Sequence, residues 1–344
     1  MSGDVSRTAD QANQEQATAR GVAVPARVVP LPASISAEAR AALDRLVEDD
    51  GSVRNAAYVM PEPNDLEAWT RMKAAADAQY SAAVTTLAGR VRATVATIQT
   101  GTATVHVATP AEPFMAQRAV IDLHGGALVF GGGTACIVGA QMQADQHGVL
   151  SYGIDYRTSP EHPYPAALDD CIAIYRYVLD RHAPAHIVVN GRSAGGNLAV
   201  AMLQRARNEG LPMPGGLVLL SPQIDLTESG DSFAVNRLVD VVLPGSLMSN
   251  NLLYANGVAL DDPGVSPLFG DLRGFPAAFL QSGTRDLFLS NTVRMHRALR
   301  RVGVPAELHV FEAMPHGGFG GGTPEDEDLS DEIARFVRTV RTAA

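Results

Sequence analysis

The sequence holds only two cysteines in 344 residues, Cys136 and Cys171, and neither belongs to a CxxC pair. A disulfide framework is thereby excluded, and both thiols read as small core residues. There is no block of Lys or Arg and the formal charge is −10, so the basic footprint that a nucleic-acid partner demands is missing. No run reaches the roughly 18 apolar residues of a membrane span. The opening stretch MSGDVSRTADQANQEQATAR lacks the apolar segment of a secretory signal. These absences predict a cytoplasmic protein without a membrane span or a nucleic-acid partner. No internal repeat is apparent.

What is present is an ordinary globular composition, 46% hydrophobic and 19% charged, enough for one large core or two smaller ones. Residues 1–28 are polar and low in aromatics, and read as a disordered tail. Residues 29–92 read as an N-terminal helical cap segment. Its first helix would be capped by Ser36, with Glu38 in the first turn, and a second helical stretch runs over residues 63–90. Residues 93–344 alternate strands with helices. The strands are TVATIQT, ATVHVAT, RAVIDLHGG, VLSYGIDYR, HIVVNGRS, GLVLLSP, AAFLQSG and AELHVFE. Such alternation predicts an α/β fold: a mainly parallel sheet with helices on both faces. Residues 225–260 are too long for an ordinary connection and look helical, and so read as a cap insertion.

Two stretches carry chemistry. In NGRSAGGNLAV, residues 190–200, Ser193 lies on a sharp turn between a buried strand and a helix, with glycines at 191 and 195. Such a turn exposes a serine Oγ and places the amide of Ala194 at a helix N-terminus, where it can stabilise an oxyanion. G-x-S-x-G is also common as a plain strand–helix turn. In IDLHGGALVFGGG, residues 121–133, the pair Gly125 and Gly126 at a strand end leaves backbone N–H groups bare. A flexible loop or a phosphate cradle would look similar, but GxxxxGK[ST] and a GxGxxG after the first strand are both missing. His124 reads as a residue that orders this loop.

With these residues in view, the chain resembles the bacterial hormone-sensitive-lipase-like (family IV) carboxylesterases of the α/β-hydrolase fold. The resemblance rests on the HGG loop at 124–126, DYRTSPEHPYPAALDD at 155–170, GRSAGGNLA at 191–199, DPGVSPLFGDLRGFPAAFLQSGTRDLF at 262–288 and MPHGGFG at 314–320. Two positions depart from the family pattern: Ala127 stands where the family has a further glycine, and Arg192 replaces the acid that usually precedes the nucleophile.

The fold orders its nucleophile, acid and base as Ser, Asp or Glu, then His. After Ser193 the histidines are His296, His309 and His316. The first falls mid-helix and the second inside a strand, whereas His316 lies in a loop after the last strand. Asp286 follows the strand AAFLQ and resembles the family's acid position. Asp225 and Asp271 compete, but Asp271 precedes its strand, and Glu312 is too close in sequence to His316. Glu161, His162, Tyr156 and Arg157 read as braces for the loop beside the nucleophile.

The expected catalytic residues are therefore Ser193, Asp286 and His316, with an oxyanion hole from the amides of Gly125, Gly126 and Ala194, and Phe130 as a substrate contact. The expected reaction is hydrolysis of small to medium acyl or lactone esters through an acyl-enzyme. An amidase or carbamate hydrolase, and a non-catalytic ligand receptor on the same fold, are the alternatives. The chemistry requires no metal and no cofactor: there is no HExxH, and the nine histidines are scattered along the chain. The resemblance also implies homodimers formed through the last strand and helix.

Overall fold

The computed structural model describes residues 21–340 apart from 113, 114, 116 and 244. Most of the expected polar tail, residues 1–20, therefore lies outside the described residues, and residues 21–30 form neither helix nor strand.

All eight strands read from the sequence form: β1 (Thr94–Thr100), β2 (Ala103–Thr109), β3 (Ala119–Leu123), β4 (Leu150–Asp155), β5 (Ile187–Arg192), β6 (Gly216–Leu220), β7 (Ala277–Gly283) and β8 (Ala306–Phe311). They make one sheet in the order β1-β2-β4-β3-β5-β6-β7-β8. β1, β2 and β4 pair antiparallel, and the remaining ladders are parallel. The central strands are short Val, Ile and Leu runs because both of their faces are covered; every residue of β3 is buried. The edge strand β1, rich in Thr, is exposed along most of its length.

Helices α1 (Ala37–Asp44) and α2 (Leu66–Ala88) precede the sheet. Ser36 caps α1 as expected: its Oγ accepts from the amide of Ala39 at 3.0 Å, and the same hydroxyl donates to Glu325 at 2.7 Å. Within and after the sheet come α3 (Thr134–His147), α4 (Ala166–Leu179), α5 (Ala194–Asn208), α6 (Ser232–Val235), α7 (Met248–Ala255), α8 (Leu289–Arg301) and α9 (Pro324–Thr339). The 225–260 stretch is less helical than its composition suggests, with loops around the short α6 and α7. Buried acceptors hold those loops. Asp225 takes hydrogen bonds from Thr227 and Ser229, and Asp240 from the amides of Val242 and Leu243.

The N-terminal helices pack on this insertion and on the glycine loop after β3. Trp69 of α2, fully buried, clusters with Val129, Phe130 and Leu253, and its indole N–H donates to the carbonyl of Glu62 at 3.0 Å. Ala39 and Leu43 of α1 cluster with Val241, Met314 and Phe319. Among the described residues no helix is long and apolar enough to cross a membrane.

Candidate active site

The carboxyl ends of adjacent parallel strands are where an α/β sheet gathers its functional loops. Three of them meet here. Ser193 follows β5 as the N-cap of α5, with φ 51° and ψ −121°, a region of backbone space that costs a side-chain-bearing residue about 1–3 kcal/mol. The turn is held from both sides: the amide of Ser193 donates to Leu220 O at 2.9 Å, and its carbonyl accepts from Gly196 and Gln223 at 2.9 and 3.0 Å. A Cβ on Gly191 would lie 2.4 Å from Gly195 O, and one on Gly195 would lie 2.0 Å from Leu123 O. Those two glycines are therefore steric requirements of the turn.

His316, in the loop after β8, and Asp286, after β7, complete a hydrogen-bonded line. His316 Nε2 lies 3.0 Å from Ser193 Oγ, and His316 Nδ1 lies 3.1 Å from Asp286 Oδ1. Asp286 is fully buried. Its Oδ1 also accepts from the amide of Phe288 at 2.9 Å, and its Oδ2 from Ser282 Oγ at 2.6 Å. Burial pushes this carboxyl up, but the hydrogen bonds and the imidazole outweigh it and hold the carboxyl below its ordinary range. Burial likewise disfavours a charged His316, yet the Asp286 carboxylate prevails and raises the imidazole above its ordinary value. Phe288 meets the His316 ring edge-on with centroids 4.8 Å apart.

The competing groups are engaged elsewhere. His296 reaches Ala306 O at 3.2 Å, and His309 stacks on Phe279 and reaches Glu307 at 3.3 Å. Asp271 pairs with Arg273 at 2.7 Å and Asp225 pairs with Arg294.

The glycine loop after β3 lies against the serine: a Cβ on Gly125 would sit 3.2 Å from Ser193 Cβ. Gly126 has φ +123°, and a Cβ on it would strike Phe130 O at 2.1 Å. His124 orders this loop. Its Nδ1 lies 2.7 Å from Gly125 O, its ring stacks on Tyr156 at 4.1 Å, and burial pushes its imidazole below the ordinary value. Tyr156 donates its hydroxyl to His124 O at 2.7 Å, Arg157 forks onto the buried Asp170, and Glu161 pairs with Lys73 of α2 at 2.6 Å. Phe130 is buried in the Trp69 cluster, on the side of the loop facing α2.

Both departures from the family pattern have a visible setting. Arg192 lies 3.7 Å from Asp122, a buried carboxylate on β3 that also accepts from Asn190 Nδ2 at 2.7 Å. Ala127 has φ 51°, the left-handed region that a glycine occupies without penalty.

One residue escapes a reading of the sequence. Asp240, fully buried in the insertion, accepts from the amide of Leu287 at 2.7 Å and from the amide of His316 at 3.3 Å. It thus ties the Asp286 loop to the His316 loop. Burial raises its carboxyl to about 6, with His316 acting in the opposite direction and Asp286 adding to the rise. An acid inside the apolar stretch LVDVVLP is the available signal.

Known proteins share this fold. The profile of a family described as the alpha/beta hydrolase fold matches residues 120–319. An esterase of Acinetobacter venetianus is 29% identical over 230 residues, 65% of this chain and 76% of that protein. The crystal structure of esterase E25 superposes with a TM-score of 0.86 at 32% identity, covering 93% of this chain and 98% of that one. A crystal structure of an esterase from the bacterial hormone-sensitive lipase family superposes with a TM-score of 0.74 at 28% identity, covering 88% and 98%. The chain belongs to the α/β-hydrolase family, in its hormone-sensitive-lipase-like (family IV) branch of esterases.

Proposed function

We propose that this carboxylic ester hydrolase cleaves small to medium acyl or lactone esters by acyl transfer through Ser193. The observation that carries the reading is the unbroken line Ser193 Oγ, His316 Nε2, His316 Nδ1, Asp286 Oδ1, with contacts of 3.0 and 3.1 Å. A serine hydroxyl is a weak nucleophile at neutral pH and needs a base that is itself oriented by an acid.

In this mechanism His316 takes the Ser193 proton as Oγ attacks the ester carbonyl. The amides of Gly125, Gly126 and Ala194 stabilise the negative oxygen of the tetrahedral intermediate, at a helix N-terminus that adds its dipole. His316 then protonates the departing alkoxide, and water repeats the sequence on the acyl-enzyme. Asp286, held ionised by its own donors, keeps Nδ1 protonated and Nε2 free to accept.

The apolar wall of the site comes from residues 29–92 and 225–260 acting as a cap. Leu247, Leu287 and Phe288 form one buried cluster with Ala127 beside the glycine loop, and this side holds the apolar part of the ester. Phe130 shapes the wall from behind, through Trp69 and Leu253. Pairing of two copies through β8 belongs to the same reading.

Hydrolysis of p-nitrophenyl acetate, compared in wild type and Ser193→Ala, tests the proposal. Turnover that disappears in the variant supports it. Turnover retained in the variant overturns the role of Ser193, and no turnover in wild type across acetate to decanoate esters and lactones favours an amide-directed or receptor role.

A further inference from the structure

On the β2–β4 part of the sheet, with β3 between it and the strand that leads to Ser193, three metal-ligating side chains from different elements converge. They are His106 of β2, Cys136 of α3 and Asp155 at the end of β4, and one donor atom of each lies within 4.8 Å of the other two. His106 and Cys136 are buried and Asp155 is part-buried. The convergence depends on topology. Strand pairing sets His106 opposite Gly153, and that glycine is what lets α3 approach the sheet. A Cβ there would sit 2.8 Å from Ala140 Cβ and 3.4 Å from Cys136 Sγ.

The cluster is oriented as a ligand set. His106 Nδ1 lies 2.9 Å from Thr97 Oγ1 on the neighbouring strand, which turns Nε2 toward Asp155 Oδ2 at 3.1 Å. A second hydrogen bond of that kind commonly fixes the ring of a metal-bound histidine. Asp155 also accepts from the amide of Gly133 at 3.1 Å. A cleft of about 550 Å³, lined by Lys73, Asp77, Gly133, Asp155 and His162 among others, reaches the Asp155 carboxylate. Tetrahedral zinc with bonds of about 2.0–2.3 Å places its donors about 3.4–3.6 Å apart. Donors up to 4.8 Å apart have to close by about an ångström to reach that spacing.

We propose that His106, Cys136 and Asp155 form a binding site for a thiophilic divalent cation of the Zn²⁺ class, with its fourth position open to the cleft. On binding, His106 takes the tautomer in which Nδ1–H donates to Thr97 Oγ1 and Nε2 meets the cation, the Nε2 proton having passed to Nδ1 by way of water, and a bond to Cys136 Sγ forms as the thiol proton leaves to water. The mixed nitrogen, sulfur and oxygen donor set suits zinc and cobalt better than calcium or magnesium, which prefer oxygen alone. Binding also draws Asp155 from the Gly133 amide. The neighbouring Gly131 packs so closely on Gly125 O that a Cβ on it would lie 2.7 Å away. The cation therefore slows ester hydrolysis by loosening the loop that carries Gly125, a consequence that rests on the oxyanion role proposed above.

Titration of the full chain with Co²⁺ reads binding independently of activity, because a cysteine thiolate bound to cobalt gives a near-ultraviolet charge-transfer band. The expected result is such a band saturating at one equivalent, kept in Cys171→Ser, lost in Cys136→Ser, and at least about tenfold harder to saturate in His106→Gln. Circular dichroism checks the fold of each variant. No band in wild type at tenfold excess of Co²⁺ overturns the site without reference to any variant, as does a band that survives in Cys136→Ser. Saturation should lower kcat/KM for p-nitrophenyl acetate in wild type and leave Cys136→Ser unaffected. An unchanged wild-type kcat/KM at full saturation overturns the coupling to the loop.

Discussion

The strand ends of the sheet and the helical segments above them position groups by different means. At the strand ends, Ser193 is fixed by covalent geometry and backbone hydrogen bonds: a positive φ, a partner on each side, and glycines that nothing larger could replace. In the 29–92 and 225–260 segments the fixing is by side chains, such as Trp69 against Phe130 and Leu253, or Asp240 beneath two loops. Backbone-fixed geometry survives changes in surrounding side chains, whereas packed side chains can be exchanged one at a time. The chemistry should therefore depend on the first region and the choice of ester on the second.

The sharpest break in that comparison is removal of the proposed nucleophile or its proposed base. Ser193→Ala should fold normally and lose about three or more orders of magnitude in kcat, because members of such a unit act together. His316→Ala should be comparably damaging. His309→Ala, which removes a ring stacked on Phe279, should keep activity within about twofold. Kinetics with p-nitrophenyl acetate check all three, and the reverse ranking of the two histidines would transfer the base to His309.

Asp240 sharpens the comparison because it lies in the 225–260 stretch and accepts from the amides of Leu287 and His316. Asp240→Asn leaves one of its amide donors facing an NH₂ group, a cost of about 1–3 kcal/mol, or a roughly ten- to hundredfold loss in kcat/KM if felt in the transition state. The pH profile carries a signed test. The Asp240 charge favours the protonated imidazole of His316, and in the proposed mechanism His316 has to be neutral to accept a proton. Removing that charge should shift the acid limb of kcat/KM to lower pH. An unmoved limb would reduce Asp240 to a structural tie between loops.

Trp69→Ala tests the other side. Truncating a fully buried Trp costs about 3–5 kcal/mol of stability, so melting should fall clearly. The acid limb should stay in place, because nothing in the Trp69 cluster bonds to Ser193, His316 or Asp286. A change in the ranking of acetate, butyrate and octanoate esters is the expected kinetic effect. A variant with wild-type ranking would remove α2 from the proposed cap.

How legible each region is in the sequence follows the same division. All eight strands can be read because apolar runs of that length, bounded by turn residues, are too short to make packed helices. Ser193, His316 and Asp286 stand out through local chemistry at strand ends, and the structure brings them together as a line. Helix α3 leaves no such mark. Its sequence TACIVGAQMQADQH has polar and apolar residues on all sides, so no stripe identifies its buried face. The 225–260 loops read as helix because their apolar content mimics helical spacing, while the bonds that hold them, from Asp225 and Asp240, join residues too irregularly spaced to form a pattern. The meeting of His106, Cys136 and Asp155 is invisible for another reason: its residues come from three elements, and only the strand order brings them together.

The smallest expected effect concerns Ala127, where the two regions touch. Its φ of 51° costs an alanine about 1–2 kcal/mol relative to glycine, so Ala127→Gly relieves strain. Two terms oppose that gain. Glycine widens the unfolded ensemble by about 0.4–1 kcal/mol, and the lost methyl, half-buried against Leu247, Leu287 and Phe288, contributes up to about 0.8 kcal/mol. The sum is close to zero, so the melting temperature should move by no more than about 2 °C. The backbone of Gly125 and Gly126 keeps its own constraints from His124, Phe130 and Ser193, so kcat on p-nitrophenyl acetate should change by less than about twofold. Longer or branched acyl esters should gain modestly from the added space. A tenfold change on the acetate ester itself would mean that this methyl helps set the oxyanion geometry, and that the cap side of the loop reaches into the chemistry after all.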